Sequence, residues 1–307
     1  MYKPVTFVGN IAEDEVKLLD NSGITTFSGG LDSAYINYYL KKSANVPLSI
    51  DSTVLIHGAD VPLADVRAFD RVFTKCKRMT DDLGLELVVV KTNVRDYLNN
   101  WSHSHGSVVA GVLHFFEKKI SHGITCDYSF ASFTIPHGFN PFTDKYFSSR
   151  TFDFSLGGID VPRTARAALI KDWLVGLENL HVCWEGLNKS DNCGHCEKCI
   201  RTKLNFKVVG VDHLACMPSD ITLKQMCKDS LVNSELALSF YKEALAYGIE
   251  HSTLSSQWVA GLKSQIHRWE KISAPPPSFL MVLYKLYLRL CRKLSRLLNA
   301  SNAELRN

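Results

Sequence analysis

The sequence predicts an α/β fold, a doubly wound parallel sheet that is covered by helices on both faces. Three observations predict it. Short β-prone runs alternate with helical patterns, glycine turns separate several of them, and 46% hydrophobic with 21% charged residues is the balance of an ordinary globular protein. Strands that alternate with helices at short spacing form right-handed βαβ units, and such units build a parallel sheet.

Four strands are predicted in the first half of the chain, at 24–27, 53–57, 85–90 and 123–129. Helical patterns follow them, beginning after the first glycine turn and then at 64–83, 108–120 and 163–177. Gly84 is expected to end the second of these helices as its C-cap. The region from 136 to 158 is rich in Pro, Gly, Phe, Ser and Asp and is predicted to be a loop.

A chain of 307 residues is long for one domain. We therefore predict an α/β domain at 1–215 and a helical extension at 216–307. The extension ends in a strongly amphipathic helix at 279–298, which follows the stiff break at Pro275–Pro277. That helix is rich in Leu, Lys and Arg, a pattern that fits docking on the protein's own domain, a partner, a second copy of the chain, or a membrane surface.

Charge and composition restrict the class of partner and the compartment. The formal net charge is +4, and five basic residues with no acid among them lie between Ile272 and Ala303. The remainder carries 30 basic and 31 acidic residues, so a nucleic-acid partner is not expected. Nine cysteines together with an N-terminus lacking the apolar segment of a secretory signal predict a reducing, cytoplasmic setting.

The segment Ser28-Gly29-Gly30-Leu31-Asp32-Ser33 lies between the first predicted strand and its helix. Two glycines let the backbone approach an anion closely, and a helix start offers unpaired N–H groups. The turn contains no lysine, so Mg²⁺ would neutralise a bound phosphate, and Asp32 is placed to hold that ion directly or through water. An ordinary glycine-rich turn with a capping Asp or Ser is the alternative interpretation.

Three cysteines follow one another at C-x₂-C-x₂-C spacing, and a fourth precedes them by ten positions, giving the set Cys183, Cys193, Cys196 and Cys199. Four thiolates suit a closed tetrahedral zinc site, and an iron–sulfur cluster is the alternative that the spacing leaves open. His181 and His195 lie beside the cysteines but are not expected to be ligands.

Together, the hexapeptide and the cysteine motif resemble the PP-loop ATP pyrophosphatases of the adenine-nucleotide α-hydrolase (HUP) superfamily, whose fold is Rossmann-like. More narrowly, C-G-x-C-x-x-C far downstream of the loop resembles the 7-cyano-7-deazaguanine synthase family. The resemblance covers about residues 20–210. The segment 197–202 is similar to a broader branch of synthase-like proteins, and the chain continues from Cys199 to Asn307, beyond what a minimal synthase needs.

The resemblance implies roles for particular residues. Pyrophosphate of ATP would be held by the loop residues Ser28, Gly29, Gly30, Asp32 and Ser33, and zinc by the four cysteines. It also implies an AMP-forming ligase that adenylates a small-molecule carboxylate and passes it to a nitrogen donor. The alternatives are a non-catalytic nucleotide sensor or scaffold, and an RNA-modifying enzyme that shares the loop.

Ligands of doubly wound sheets bind beyond the carboxyl ends of the strands, so residues after strands are candidates for the remainder of the site. His57 follows the second strand and could border adenine or ribose, or belong to an ordinary turn. Arg163 and Arg166 share a helix face, and with Lys145 they could stabilise charge at the reacting phosphate or carboxylate, or else form a solvated basic surface. Trp101, His103 and His105 would line a pocket or cap the next helix.

Overall fold

A computed structural model describes residues 20–44, 46–127, 135, 137–183, 191–227, 234–273, 283 and 287 of the chain. The chain divides into two compact units, 1–266 and 267–307, and the whole sheet belongs to the first. Of the predicted helix at 279–298, Leu283 and Tyr287 are described, both helical and exposed, and the rest lies outside the described residues. No helix within the described ranges combines the length and the apolar character needed to cross a membrane.

The described residues form a five-stranded sheet with all strands parallel, in the order β3-β2-β1-β4-β5. The strands are β1 (Ser22–Thr26), β2 (Ser49–His57), β3 (Glu86–Lys91), β4 (His122–Thr125) and β5 (Asp153–Leu156). This order matches the first five strands of the Rossmann strand order, 3-2-1-4-5-6. The predicted α/β class is confirmed. The order reverses between β1 and β4, which is where such sheets bind ligands.

Nine α-helices are described along the same ranges. They are α1 (Leu31–Lys42), α2 (Val66–Asp82), α3 (Trp101–Leu113), α4 (Arg163–Ile170), α5 (Leu174–Asn179), α6 (Glu197–Val208), α7 (Leu223–Met226), α8 (Glu235–Glu250) and α9 (Ser256–Ser273). Helix α8 packs against α4 and α6 within the first unit. The predicted boundary between 215 and 216 stays a prediction.

Two hydrophobic clusters cover the two faces of the sheet. Val54 belongs to one cluster with Ala110, Leu113 and Phe154, and its neighbour Leu55 belongs to the other, with residues of α1 and α2. Successive residues of a strand point to opposite faces, so this division places helices on both sides, as predicted.

A buried polar network attaches α1 to the sheet behind the glycine turn. The Thr25 hydroxyl lies 2.6 Å from Asn37 Oδ1 and 2.7 Å from the Thr53 hydroxyl. Asn37 Nδ2 donates to the carbonyls of Thr26 and Ser33, at 3.1 and 2.9 Å. These bonds fix the start of α1 relative to the end of β1, and therefore the shape of the turn between them.

Three expectations about elements were wrong in part. The helix predicted at 108–120 begins at Trp101 and ends at Leu113, because packing overrides the weak helix propensity of the Ser, His and Gly in its first turns. The predicted loop at 136–158 contains β5, whose four residues are too few to give a clear period. The helix predicted at 163–177 is interrupted after Ile170 and resumes at Leu174. Gly84, with φ of +65°, follows α2 as expected of a C-cap glycine.

Candidate functional site: the glycine turn, two arginines and a cysteine cluster

The glycine turn, Ser28–Ser33, joins the carboxyl end of β1 to α1. Gly29 has φ of +79°, a conformation that side chains with a Cβ rarely adopt. Gly30 precedes the first residue of α1, and no side chain caps the helix there. The first N–H groups of α1 are therefore left without a capping side chain, as an anion site at a helix start requires.

Hydrogen bonds inside the turn account for its two serines. The Ser33 hydroxyl accepts from the Ser28 N–H at 3.2 Å and donates to the Gly30 carbonyl at 3.1 Å. The Ser28 hydroxyl lies 3.2 Å from the Ser33 hydroxyl. The structure thus brings the expected loop residues together, and Ser33 shapes the turn from within.

A backbone segment behind the turn holds Gly29 in place. The N–H of His181 donates to the Gly29 carbonyl at 2.8 Å. Burial lowers the pKa of His181 to about 4, so its ring is neutral near pH 7. Cys183, a member of the cysteine cluster, lies two residues further along this segment. The turn and the cysteine cluster are therefore joined by a very short stretch of chain.

Arg163 and Arg166 from α4 both pair with Asp32 in the first turn of α1. Arg163 Nη1 contacts Asp32 Oδ2, and Arg166 Nη1 lies 2.7 Å from Asp32 Oδ1. Arg166 also donates to the carbonyls of Asp127 and Gly158, and its side chain is 1% exposed. The sequence correctly predicted that the two arginines share a face, and the structure places that face on the glycine turn.

The arginine group retains unused donors. Arg163 Nε is buried and has no hydrogen-bond partner among the described residues. Arg163 and Arg201 both lie over the ring of Phe240, at 5.8 and 4.1 Å, and Arg201 Nε is 3.3 Å from a Glu197 carboxylate oxygen. A buried donor without a partner costs about 1–3 kcal/mol, which a bound anion would recover.

The four cysteine sulfurs all lie within 4.8 Å of one another. Cys183 Sγ is 3.7 Å from Cys196 Sγ, and Cys193 Sγ is 3.9 Å from Cys199 Sγ. Four sulfurs at about 2.3 Å from one tetrahedral ion would be about 3.8 Å apart. The set therefore fits a single metal ion. The exposed His195 ring bonds to the Cys193 carbonyl at 2.8 Å, outside this set.

Asn192, which sequence reasoning missed, joins the two parts of the cysteine cluster. Its Oδ1 accepts from the N–H groups of Val182 and Cys183, at 2.8 and 3.2 Å. Its Nδ2 donates to the carbonyls of Leu180 and Cys216, at 2.8 and 3.0 Å. A single buried amide thus joins the segment before Cys183 to the turn at residues 193–196, the cysteine turn. The sequence signal that could have indicated this role is an Asn directly before C-G-x-C.

Further contacts fix the backbone of the cysteine turn. Gly194 has φ of +75°, and a Cβ there would clash with Pro218. The Lys203 ammonium donates to the carbonyls of Gly194 and Ser219, at 2.7 and 3.3 Å. The Cys196 N–H points at Cys193 Sγ, at 3.3 Å. These contacts fix the backbone of the turn that carries Cys193 and Cys196.

Two predicted site residues lie elsewhere. His57 is 2% exposed, its ring stacks on Phe69 at 3.8 Å, and its Nε2 donates to the Pro62 carbonyl at 3.2 Å. Lys145 is exposed in a 3₁₀ turn, with its Nζ 5.2 Å from the centre of the Tyr146 ring. None of their described contacts reaches the glycine turn, so their roles in ATP binding and catalysis stay predictions.

Asp127, at the carboxyl end of β4, is a charged residue of this region that the sequence did not single out. Burial acts to raise its pKa, but contacts with His105 and His137 outweigh burial and lower the pKa well below its usual range. Asp144, 3% exposed, has its pKa raised to about 6, mainly by burial. Asp127 lies at a predicted strand end, and Asp144 lies beside Lys145 in the predicted loop, where no sequence period marks either carboxylate as buried.

Comparison of the chain with protein-family models, with curated proteins and with solved structures gave no match. The resemblance to the PP-loop family therefore stays a prediction, and a function for this chain has to be argued from the geometry of its own residues.

Proposed function

We propose that this chain is an ATP-dependent, AMP-forming ligase that adenylates a small-molecule carboxylate and releases pyrophosphate. One observation carries the proposal: two buried guanidinium groups, Arg163 and Arg166, are held by Asp32 against an uncapped, glycine-containing helix start. Two cations and one anion leave this group with a net positive charge in a buried setting. Positive charge of that kind stabilises the charge that develops on a phosphate during transfer.

The sequence resemblance implies a reaction in two steps, and a net positive charge at the turn would suit both. A carboxylate oxygen of the acid attacks the α-phosphorus of ATP, and pyrophosphate leaves with the bonding electrons. A nitrogen donor then attacks the acyl carbon, and AMP leaves. In both steps the chain's contribution is position and electrostatics, since phosphoryl transfer needs little covalent help from the protein.

Each metal has a distinct place in the proposal. Mg²⁺ would accompany the nucleotide, and because both Asp32 oxygens are occupied by arginines, contact with that ion through water fits better than direct binding. Zn²⁺ would be held by the four cysteines. An iron–sulfur cluster spreads its thiolates over several iron atoms, and sulfurs 3.7 and 3.9 Å apart favour one ion.

A second candidate function is a nucleotide sensor without turnover. The observation that favours it is the same ion-paired group: Asp32 is already fully engaged, and a carboxylate so held is a poor metal ligand for chemistry. The two candidates agree on nucleotide binding and differ in whether pyrophosphate appears.

Pyrophosphate release distinguishes the candidates. The full-length protein is incubated with Mg·ATP, ammonia and a panel of carboxylic acids, beginning with 7-carboxy-7-deazaguanine because of the sequence resemblance. Pyrophosphate and AMP are expected in equal amounts and only with an accepted acid. Asp32→Ala and Arg163→Met are expected to lower the rate at least about 100-fold, as removal of a charge-stabilising group does.

Exposed residues supply the matched controls. Asp70→Ala on α2 and Arg150→Met remove a carboxylate and a guanidinium that are exposed, and both variants should retain the parent rate. ATP binding without pyrophosphate for any acid supports the sensor. An Asp32→Ala variant as active as the parent removes the proposed mechanism.

A further inference from the structure

Two histidines and an aspartate come together beside the glycine turn. His105 lies on α3, Asp127 directly follows the carboxyl end of β4, and His137 lies in the connection to β5. One nitrogen of each ring and a carboxylate oxygen all lie within 4.8 Å of one another. These three residues form the histidine cluster, which plays no part in the ligase reaction proposed for the glycine turn.

The spacing of the histidine cluster fits metal ligands better than ion-paired hydrogen bonds. His105 Nε2 is 3.3 Å and His137 Nδ1 is 3.4 Å from the same oxygen, Asp127 Oδ2. Charge-assisted N–H···O bonds are shorter, about 2.7–2.9 Å. Ligand atoms at about 2.0–2.2 Å from a tetrahedral ion are about 3.3–3.6 Å apart.

The hydrogen bond of the other His105 nitrogen supports the same interpretation. Its Nδ1 lies 3.1 Å from the Trp101 carbonyl, which can only accept, so Nδ1 carries a proton. Nε2, 3.3 Å from Asp127 Oδ2, is the nitrogen left to face the cluster. A histidine that donates its second nitrogen to a carbonyl is also the usual arrangement of a metal ligand.

Packing fixes the two imidazole rings. The His105 ring meets Phe139 edge-on at 5.0 Å and the His137 ring at 4.6 Å. A Cβ at Gly138 would overlap the His105 ring, and a Cβ at Gly106 would overlap the Gly138 carbonyl. Two glycines therefore allow the loop that carries His137 to lie directly on α3.

The histidine cluster lies at the edge of the sheet where the strand order reverses. The Asp127 carbonyl accepts from Arg166, which also pairs with Asp32 of the glycine turn. Asp144, which interacts electrostatically with Asp127 and His105, is buried and has a carboxylate oxygen, Oδ1, without a partner among the described residues. A cation among these groups would offset their negative charge.

We propose that His105, Asp127 and His137 bind a divalent first-row transition ion, separate from the ion of the cysteine cluster. Imidazole and carboxylate ligands suit zinc and iron(II). Three protein ligands leave a coordination position for water or a substrate group, as in catalytic metal sites. The site does not depend on nucleotide binding and stands apart from the proposed ligase reaction.

Metal stoichiometry tests this site, with zinc as the probe. The full-length protein is equilibrated with excess ZnCl₂, desalted and analysed for zinc. Two ions per chain are expected, and His105→Gln and His137→Gln are expected to retain one, because losing a ligand weakens binding at least about 100-fold. His103→Gln, an exposed histidine two residues away on the same helix, should retain two.

Cobalt titration of the unaltered protein keeps the test independent of how the variants fold. One equivalent should give the intense near-ultraviolet bands of thiolate-bound Co²⁺, and a second should add only weak visible bands of nitrogen and oxygen ligands. Saturation after the thiolate-bound equivalent overturns the proposal. Two zinc ions in a folded His137→Gln variant overturn it as well.

Discussion

The cysteine cluster and the histidine cluster are two groups of side chains that could hold a metal ion, and they are built in opposite ways. The cysteines lie within 17 positions of one another, from Cys183 to Cys199, and three of them lie in a turn and the start of α6 that follows it. The histidine cluster takes its members from α3, the end of β4 and the loop before β5. The first is arranged by local backbone geometry, and the second exists only once the sheet and its helices have formed.

The difference extends to what surrounds each cluster. The cysteine cluster offers four sulfurs, so an ion bound by all of them would be closed to substrate. The histidine cluster offers three ligands and is linked through Arg166 to the glycine turn. A closed site contributes to folding and an open one to chemistry. Substitutions at the closed site should therefore mainly lower stability, and those at the open site should mainly lower metal-dependent chemistry.

Loss of a thiolate should have the largest effect. Cys196→Ser is expected to lose the ion of the cysteine cluster and to lower the free energy of unfolding by about 4 kcal/mol or more, because loss of a metal is among the mechanisms that give large destabilisation. Denaturant unfolding with zinc analysis measures both. Cys227→Ser, outside the cluster, is the control, and equal stability of the two variants would contradict a structural role for the cluster.

Removing Arg166 should have the next largest effect. Arg166→Met leaves Asp32 without one of its two guanidinium partners, and breaking a buried pair costs about 3–5 kcal/mol. The variant also removes a donor to the Asp127 carbonyl, so binding of zinc at the histidine cluster should weaken while the cysteine cluster retains its ion. Denaturant unfolding and zinc analysis report both effects.

Arg150→Met is the matched control for that variant and should change stability by less than about 0.5 kcal/mol. An Arg166→Met protein whose unfolding free energy matches that of Arg150→Met would show that the ion pair with Asp32 contributes little to folding.

A methyl group at Gly138 should have the smallest effect on stability and a selective effect on metal binding. The added Cβ overlaps the His105 ring, so overpacking should cost about 1–3 kcal/mol and displace the ligand nitrogen. Titration with Zn²⁺ should show weaker binding at the histidine cluster alone. Gly111→Ala, in open space on α3, should be neutral or stabilising by up to about 1 kcal/mol. The same zinc affinity in both variants would count against close packing as the basis of the site.

Sequence reasoning was most successful where chemistry is encoded in neighbouring residues. The C-cap glycine Gly84 depends on contacts within a few positions, and the four cysteines lie within 17 positions of one another. The α/β class followed from alternation of strands and helices, a signal repeated along the chain.

The remainder depends on contacts between distant positions. Asp32 and Arg166 are 134 positions apart, and nothing local indicates that they pair. His137 becomes a neighbour of His105 because Gly106 and Gly138 allow two backbones to approach, which is a property of the folded chain. His57 was expected at an open edge, but its position beside Phe69 was set by how α2 packs on β2.

The link between the Gly29 carbonyl and Cys183 has a practical consequence for anyone handling this protein. Cys183 Sγ and Cys196 Sγ are 3.7 Å apart, a separation from which air oxidation closes a disulfide with little movement. Such a bond, or a strong chelator in the buffer, would alter the segment that supports the glycine turn without contact with the turn itself. A failed assay on protein stored without a reductant would then reflect oxidised thiols, so the thiols should be counted before the protein is judged inactive.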